Sequence, residues 1–372
     1  MKLTIWMNQP SPYQDDLFTD LAASEEVDLQ VVFAGDMAVD RLNLGWRKGA
    51  MPYRHHMLDA RAGILEALRL AWAQRDRLHV VCGIWAYPEF AAALSMLKLS
   101  RADYVIYSES PDESDRRSFG RRFLRRLFGQ WIAAGAAGGL AISHFAAEFF
   151  TGLGFNPDTV HRFGYFQSGR SAPAVTSCAG RSRAEIIYVG QFIRRKGVDV
   201  LLDALARLRG RNVDWHLTLV GDGPERTTLE AQAAAAGISD RLTFAGVIPS
   251  DQVRARIAGA DLLALPSRWD GWGVVVNEAF SVGVPVLVSD RCGASDLVRH
   301  GVNGYIFRSE NADELRGCLE DFMRQPPGRE SMRAAARETG SRIATETVAP
   351  YLIECLHHVA GLRQMRPVPP WL

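Results

Sequence analysis

Apolar and polar positions alternate along this chain in a repeating rhythm of short hydrophobic runs followed by longer amphipathic segments. That rhythm is the βαβ signature of a parallel sheet. In the first half it predicts strands over 3–8, 29–34, 78–82, 104–108 and 139–143, with helical patterns between them such as 62–73 and 89–97. The second half repeats it with strands over 185–190, 216–221, 241–245, 262–266, 286–289 and 304–307. Helices are expected there at 198–208, 225–236, 251–258, 273–281 and 312–323. The Ser/Ala/Gly-rich stretch QSGRSAPAVTSCAGRSR, residues 167–183, has no periodic apolar face and reads as a linker. The expected organisation is an α/β chain of two doubly wound, Rossmann-like halves facing a central cleft, 1–167 and 184–349, joined by 168–183. A final helical stretch at about 350–372 is expected to pack back on the first half.

A chain of 372 residues accommodates two domains, and 47% hydrophobic with 23% charged residues is ordinary for filling two cores. The net charge of +1 gives no global field for nucleic acid, so none is expected as a partner. Five scattered cysteines without a CxxC pair make a poor disulfide framework and a poor zinc site, which suits a reducing cytoplasm. The N-terminal apolar run is too short for a signal peptide, and the Ala/Gly-rich stretch 131–142 falls well short of the ~20 residues that span a bilayer.

In doubly wound sheets, ligands bind where loops leave the carboxyl ends of the strands. The most informative such loop is PSRWDGWGVVVNEAFSVGVPVLVSD, residues 266–290. An apolar strand ends at Pro266, glycines flank Trp272, and a helix follows through Glu278. Backbone N–H groups at such a turn make a site for a diphosphate. Taken alone, Asp270 reads first as a helix cap and Glu278 as a solvated helix residue. Upstream, IIYVGQFIRRKG (residues 186–197) delivers a glycine and then a basic cluster from the end of a strand.

Together these segments resemble the donor site of retaining GT-B glycosyltransferases of the large family-4, or group 1, type. The family carries an acidic pair with seven residues between, then Gly-x-Pro-Val. Here stand Asp270, seven residues, Glu278, and Gly283-Val284-Pro285-Val286. Two departures are plain: the first acid is usually Glu, and the usual arginine of the basic loop is Gln191. Lys196-Gly197 matches. The resemblance covers residues 185–307 strongly and the first half weakly. It implies a metal-independent, cofactor-free glycosyltransferase moving a sugar from a UDP- or GDP-sugar to a hydroxyl of a saccharide or lipid-linked acceptor. The leaving phosphate would itself take the acceptor proton. No Asp-x-Asp motif follows a strand.

As the resemblance implies, Lys196 neutralises the leaving diphosphate, with Arg194 or Arg195 supplying the charge that Gln191 lacks. The amides of Gly271, Trp272, Gly273 and Val274 contact phosphate or sugar, and Asp270 the transferred sugar. Glu278 accepts from the ribose. The loops at Gly221-Asp222 and Val247-Ile248 frame the nucleoside. In the first half Glu109 ends a strand, either orienting the acceptor hydroxyl or acting as a base, or else capping a helix. The loop from Asn8 to Tyr13 is a cleft loop or a Pro-rich turn, and Gly83-Ile84-Trp85 is expected beside it. His144 reads as a helix start.

The run from Arg116 to Arg126, RRSFGRRFLRR, places Phe119, Phe123 and Leu127 on one face among six arginines. It fits either peripheral contact with the anionic inner face of a membrane or a solvated basic surface. Rival readings are a GT-B-type epimerase or phosphorylase, and a catalytically silent nucleotide-sugar-binding partner of another transferase.

Overall fold

The computed structural model describes residues 1–83, 86–111, 119–170, 183–324 and 326–372, without the side chains of 119–122 and 326–327. Most of the 168–183 segment, Ile84, Trp85 and the first part of the arginine run lie outside the described residues.

Two all-parallel sheets account for the two halves. The first holds β1 (Lys2–Met7), β2 (Asp28–Phe33), β3 (His55–Met57), β4 (Leu78–Cys82), β5 (Tyr104–Ser108), β6 (Gly138–Ala141) and β7 (Val160–Arg162), in the order β3-β2-β1-β4-β5-β6-β7. The second holds β8 (Ala184–Val189), β9 (Trp215–Val220), β10 (Leu242–Gly246), β11 (Leu262–Leu265), β12 (Val286–Ser289) and β13 (Gly304–Phe307), in the order β10-β9-β8-β11-β12-β13. Strands β4, β5, β11 and β12 are buried at every position, as parallel strands covered by helices on both faces must be. Edge strand β10 is nowhere fully buried and alternates half-buried with exposed positions.

Central strands lie within a residue or two of the positions expected from their apolar runs. The three-residue strands β3 (HHM) and β7 (VHR) were not expected. Each is an edge strand with histidines where an apolar run would stand, so pairing with one neighbour places it rather than its own pattern. The last helix also differs: it spans Thr345–Val359 with Pro350 inside it, rather than beginning at about 350 and running to the end. Pro350 falls in the second turn, where it removes the bond its N–H would make to the Glu346 carbonyl and crowds that carbonyl. A further helix, Pro326–Arg342, which the pattern reading passed over, packs on helix Val275–Ser281.

In each sheet the strand order reverses once, between β1 and β4 and between β8 and β11. A crevice opens at such a switch point, beyond the carboxyl ends of the strands. An aromatic cluster fixes the two crevices against each other. Phe166 lies 5.2 Å from Phe163, 5.9 Å from Trp272 and 5.0 Å from Trp371 between ring centroids. The last helix returns to the first half, where Tyr351 Oη donates to the Arg162 carbonyl at 3.2 Å and its ring stacks on Phe163.

Candidate active site

The loops at both switch points line one cleft of about 650 Å³. From the first sheet come the loop after β1, Cys82 and Glu109. From the second come Gly190, Gln191, Arg195 and Lys196 after β8, Gly221 and Asp222 after β9, Val247 and Ile248 after β10, and residues 270–275 with Glu278 after β11.

Lys196 and Asp270 meet at its centre, Nζ donating to Oδ2 at 2.5 Å, and both side chains are largely buried. Gly197 makes this approach of the two loops possible. Its φ is +66°, and a Cβ there would stand 2.1 Å from the Pro266 carbonyl oxygen. Asp270 caps no helix. Its backbone forms a bridge beside Cys292, with its N–H donating to Arg291 and its carbonyl accepting from Gly293. The following helix begins only at Val275, two residues later than expected, and its cap position Val274 makes no side-chain bond.

Between Asp270 and that helix, the main-chain N–H groups of Gly271, Trp272, Gly273 and Val274 find no acceptor among the described residues. Four consecutive unpaired donors facing a cleft form an anion-binding concavity. The Trp272 indole points the other way. It is buried against Gly164 and Phe166, with Nε1 donating to Asn277 Oδ1 at 2.8 Å, so only its backbone serves the cleft.

Glu278 is 3% exposed, which rules out the solvated position its place on a helix allowed. Burial pushes its carboxyl up to about 8, against the pull of Arg254. Glu109 reaches across from the first sheet and stands against Gly271. Burial first, then the Asp270 charge, raise its carboxyl. A hydrogen bond from Tyr165 and the charges of Arg195 and Lys196 oppose that rise.

One expectation is corrected. Arg194 does not line the cleft; its carbonyl accepts from Arg268 Nη1, and Arg195 occupies the cleft wall with Nη1 bonded to the Trp269 carbonyl. A 3-10 turn over Arg194–Lys196 alternates the three basic side chains, which no count along the sequence resolves. Asp222, although in the wall, spends its carboxylate on the Gly223 N–H and on Arg226. His144 does begin a helix, His144–Leu153, and pairs with Asp296 at 2.6 Å. Sequence reasoning passed over Tyr165, Arg41 and Trp46, which also line the cleft. A tryptophan among glycines and basic residues in RLNLGWRKG, residues 41–49, was the available signal for the last two.

Two Rossmann-like halves meeting over a shared cleft define the GT-B fold. Residues 180–339 match the family model for glycosyl transferases group 1, so the second half carries that domain. The alpha-D-kanosaminyltransferase of Streptomyces kanamyceticus is 29% identical over 47% of this chain and 48% of its own. The GDP-mannose-dependent alpha-(1-6)-phosphatidylinositol monomannoside mannosyltransferase of Mycobacterium tuberculosis (strain CDC 1551) is 31% identical over 42% of each chain. The matches thus span about half or less of these relatives' length. Among solved structures, Anabaena Alr3699/HepE in complex with UDP superposes with a TM-score of 0.76 at 18% identity, over 96% of this chain and 99% of that one.

Proposed function

We propose that the protein transfers a sugar from a UDP- or GDP-sugar to a hydroxyl of a saccharide or lipid-linked acceptor, with retention at the anomeric carbon. The observation that carries this reading is the row of four unpaired amides at residues 271–274 beside the Lys196–Asp270 pair. A nucleoside diphosphate lying there would set its phosphates on the amides and Lys196, its ribose toward Glu278 and its sugar toward Asp270. As the bond from the anomeric carbon to phosphate oxygen breaks, negative charge grows on the leaving diphosphate where these donors stand. The acceptor oxygen bonds to the anomeric carbon on the face the phosphate leaves. Its proton passes to a phosphate oxygen, so no protein nucleophile is needed. Glu109, facing Gly271 from the opposite half, holds the acceptor hydroxyl. Lys196 and the amides take the place of a divalent ion. Support for both bases comes from the relatives: one is named for GDP-mannose, and one structural neighbour holds UDP.

The acceptor side of the same reading includes a membrane surface. No helix among the described residues is long and apolar enough to cross a membrane. Helix Phe119–Ala133, however, leaves Phe123, Leu124, Leu127 and Trp131 between 40% and 66% exposed beside its arginines. Lys98 sits 4.6 Å from the Trp131 ring. Cations around exposed aromatic and aliphatic side chains suit the boundary of an anionic bilayer.

The deciding experiment is a donor screen against a crude lipid-linked acceptor pool, comparing wild type with Glu278→Ala. Loss of nucleoside-diphosphate binding and turnover in the variant supports the assignment. Unchanged binding and turnover would overturn it, and binding without turnover on any acceptor would mark a silent binding partner.

A further inference from the structure

The nucleoside end of the cleft is closed by a segment from the other half. Between β2 and β3, residues 38–49 leave the first sheet and cross to the loop that follows β10. The Gly45 carbonyl accepts from the Ser250 N–H at 2.8 Å, and Arg47 Nη1 meets Asp251 Oδ2 at 2.8 Å. Gly45 has φ +83°, and a Cβ on it would stand 2.4 Å from the Ile248 carbonyl oxygen, so the two loops touch backbone to backbone.

This contact carries two side chains into the cleft. Trp46 lines it with its ring edge-on to Tyr13, centroids 5.0 Å apart. The Arg41 guanidinium sits 4.9 Å from the Trp46 ring centroid and makes no ion pair among the described residues. Tyr13 in turn lines the cleft together with Arg41 and Glu278. An aromatic ring and an unspent guanidinium therefore stand in the same cleft as Glu278, toward which the proposed function sets the ribose, and as Val247 and Ile248, where the family resemblance puts the nucleoside.

Resting on that reading, we infer that Trp46 and Arg41 form a clasp on the base of the bound nucleoside diphosphate, so that both halves bind the donor. The Trp46 ring gives the base an apolar wall to pack on, and such contacts tolerate any base. Arg41 adds preference, because a guanidinium only donates hydrogen bonds. Uracil and guanine present carbonyl oxygens to it, whereas adenine offers only ring nitrogens and an amino group that itself donates. The Arg47–Asp251 pair and the Gly45–Ser250 bond hold the clasp in place.

The test is titration calorimetry of the full chain with UDP, GDP, ADP and inorganic pyrophosphate. For Trp46→Ala, the expected result is binding of UDP or GDP weakened by at least about tenfold, with pyrophosphate unaffected. Arg41→Ala should narrow the gap between the keto-base nucleotides and ADP. Arg47→Glu should also weaken binding, and adding Asp251→Arg should restore it; both positions are exposed, so neither threatens the fold. If Trp46→Ala and Arg47→Glu bind like wild type while Glu278→Ala does not, the clasp is refuted and the donor site stands. If the wild type binds none of the nucleotides, the donor site is refuted and the clasp with it.

Discussion

Glu109 and Gly271, on opposite halves of the molecule, are in contact: a Cβ added to Gly271 would lie 2.0 Å from Glu109 Oε2. Any larger residue there must push the Glu109 carboxylate aside, because the added atom falls on the end of that side chain. Gly271→Ala should leave the fold intact, as judged by circular dichroism, and cut sugar transfer by about a hundredfold, the usual cost of an ångström of misplacement. Turnover within a few fold of wild type would show that the Glu109 position is immaterial.

Lys196 supplies the ammonium group nearest the unpaired amides. Lys196→Ala should lower kcat by about 10²–10³-fold, comparable to removing one donor from a preorganised anion site. Because the lysine also pairs with Asp270, Lys196→Ala and Asp270→Ala should be strongly non-additive. A double-mutant cycle on kcat/KM reads this directly.

Glu278 gives a pH dependence with a definite sign. Its folded carboxyl is raised to about 8, whereas an unfolded glutamate titrates near ~4.3. Between these values the folded state holds a proton that the unfolded state has lost, so stability falls as pH rises through that window. The contribution is fully present below the lower value. Thermal unfolding at pH 5 and pH 9 should show a larger drop for wild type than for Glu278→Gln, which keeps the neutral shape. Equal drops would place the ionisation elsewhere.

Gly164 lies under the Trp272 indole, with a notional Cβ 2.2 Å from Cζ2. Gly164→Ala should cost about 1–3 kcal/mol by overpacking a well-filled site. It should also weaken nucleoside-diphosphate binding, because the Trp272 backbone moves with its ring. Chemical denaturation and a UDP or GDP titration check the two effects separately.

If Lys196 and the four amides carry the leaving-group charge alone, EDTA should leave turnover unchanged. Recovery of lost activity by Mg²⁺ or Mn²⁺ would contradict that part of the proposal.

Sheet topology was legible because central parallel strands are apolar throughout: YVIYS, LLAL and VLVS each announce burial on both faces. Edge strands such as HHM were not, since one neighbour places them. Within the site, Asp270, Glu278 and Lys196 were legible through the resemblance of one loop spacing and one strand end to a known donor site. What the spacing leaves open is which way a side chain turns. Trp272 and Asp270 sit two residues apart, yet one ring enters the core while the other's carboxylate faces Lys196. Nor does any local pattern reveal that residues 38–49 belong to the cleft, because their partners at 248–251 lie some two hundred positions away.

The ring cluster of Phe163, Phe166, Tyr351 and Trp371 has a mechanical corollary through Trp272. The peptide groups that would greet a pyrophosphate are fastened, by one indole, to the ring packing that joins the lobes. A swing of one lobe against the other would therefore re-aim those dipoles, and by reciprocity an occupant held by them would bias the angle between the lobes. Opening to release product and slackening the grip on it would then be a single motion.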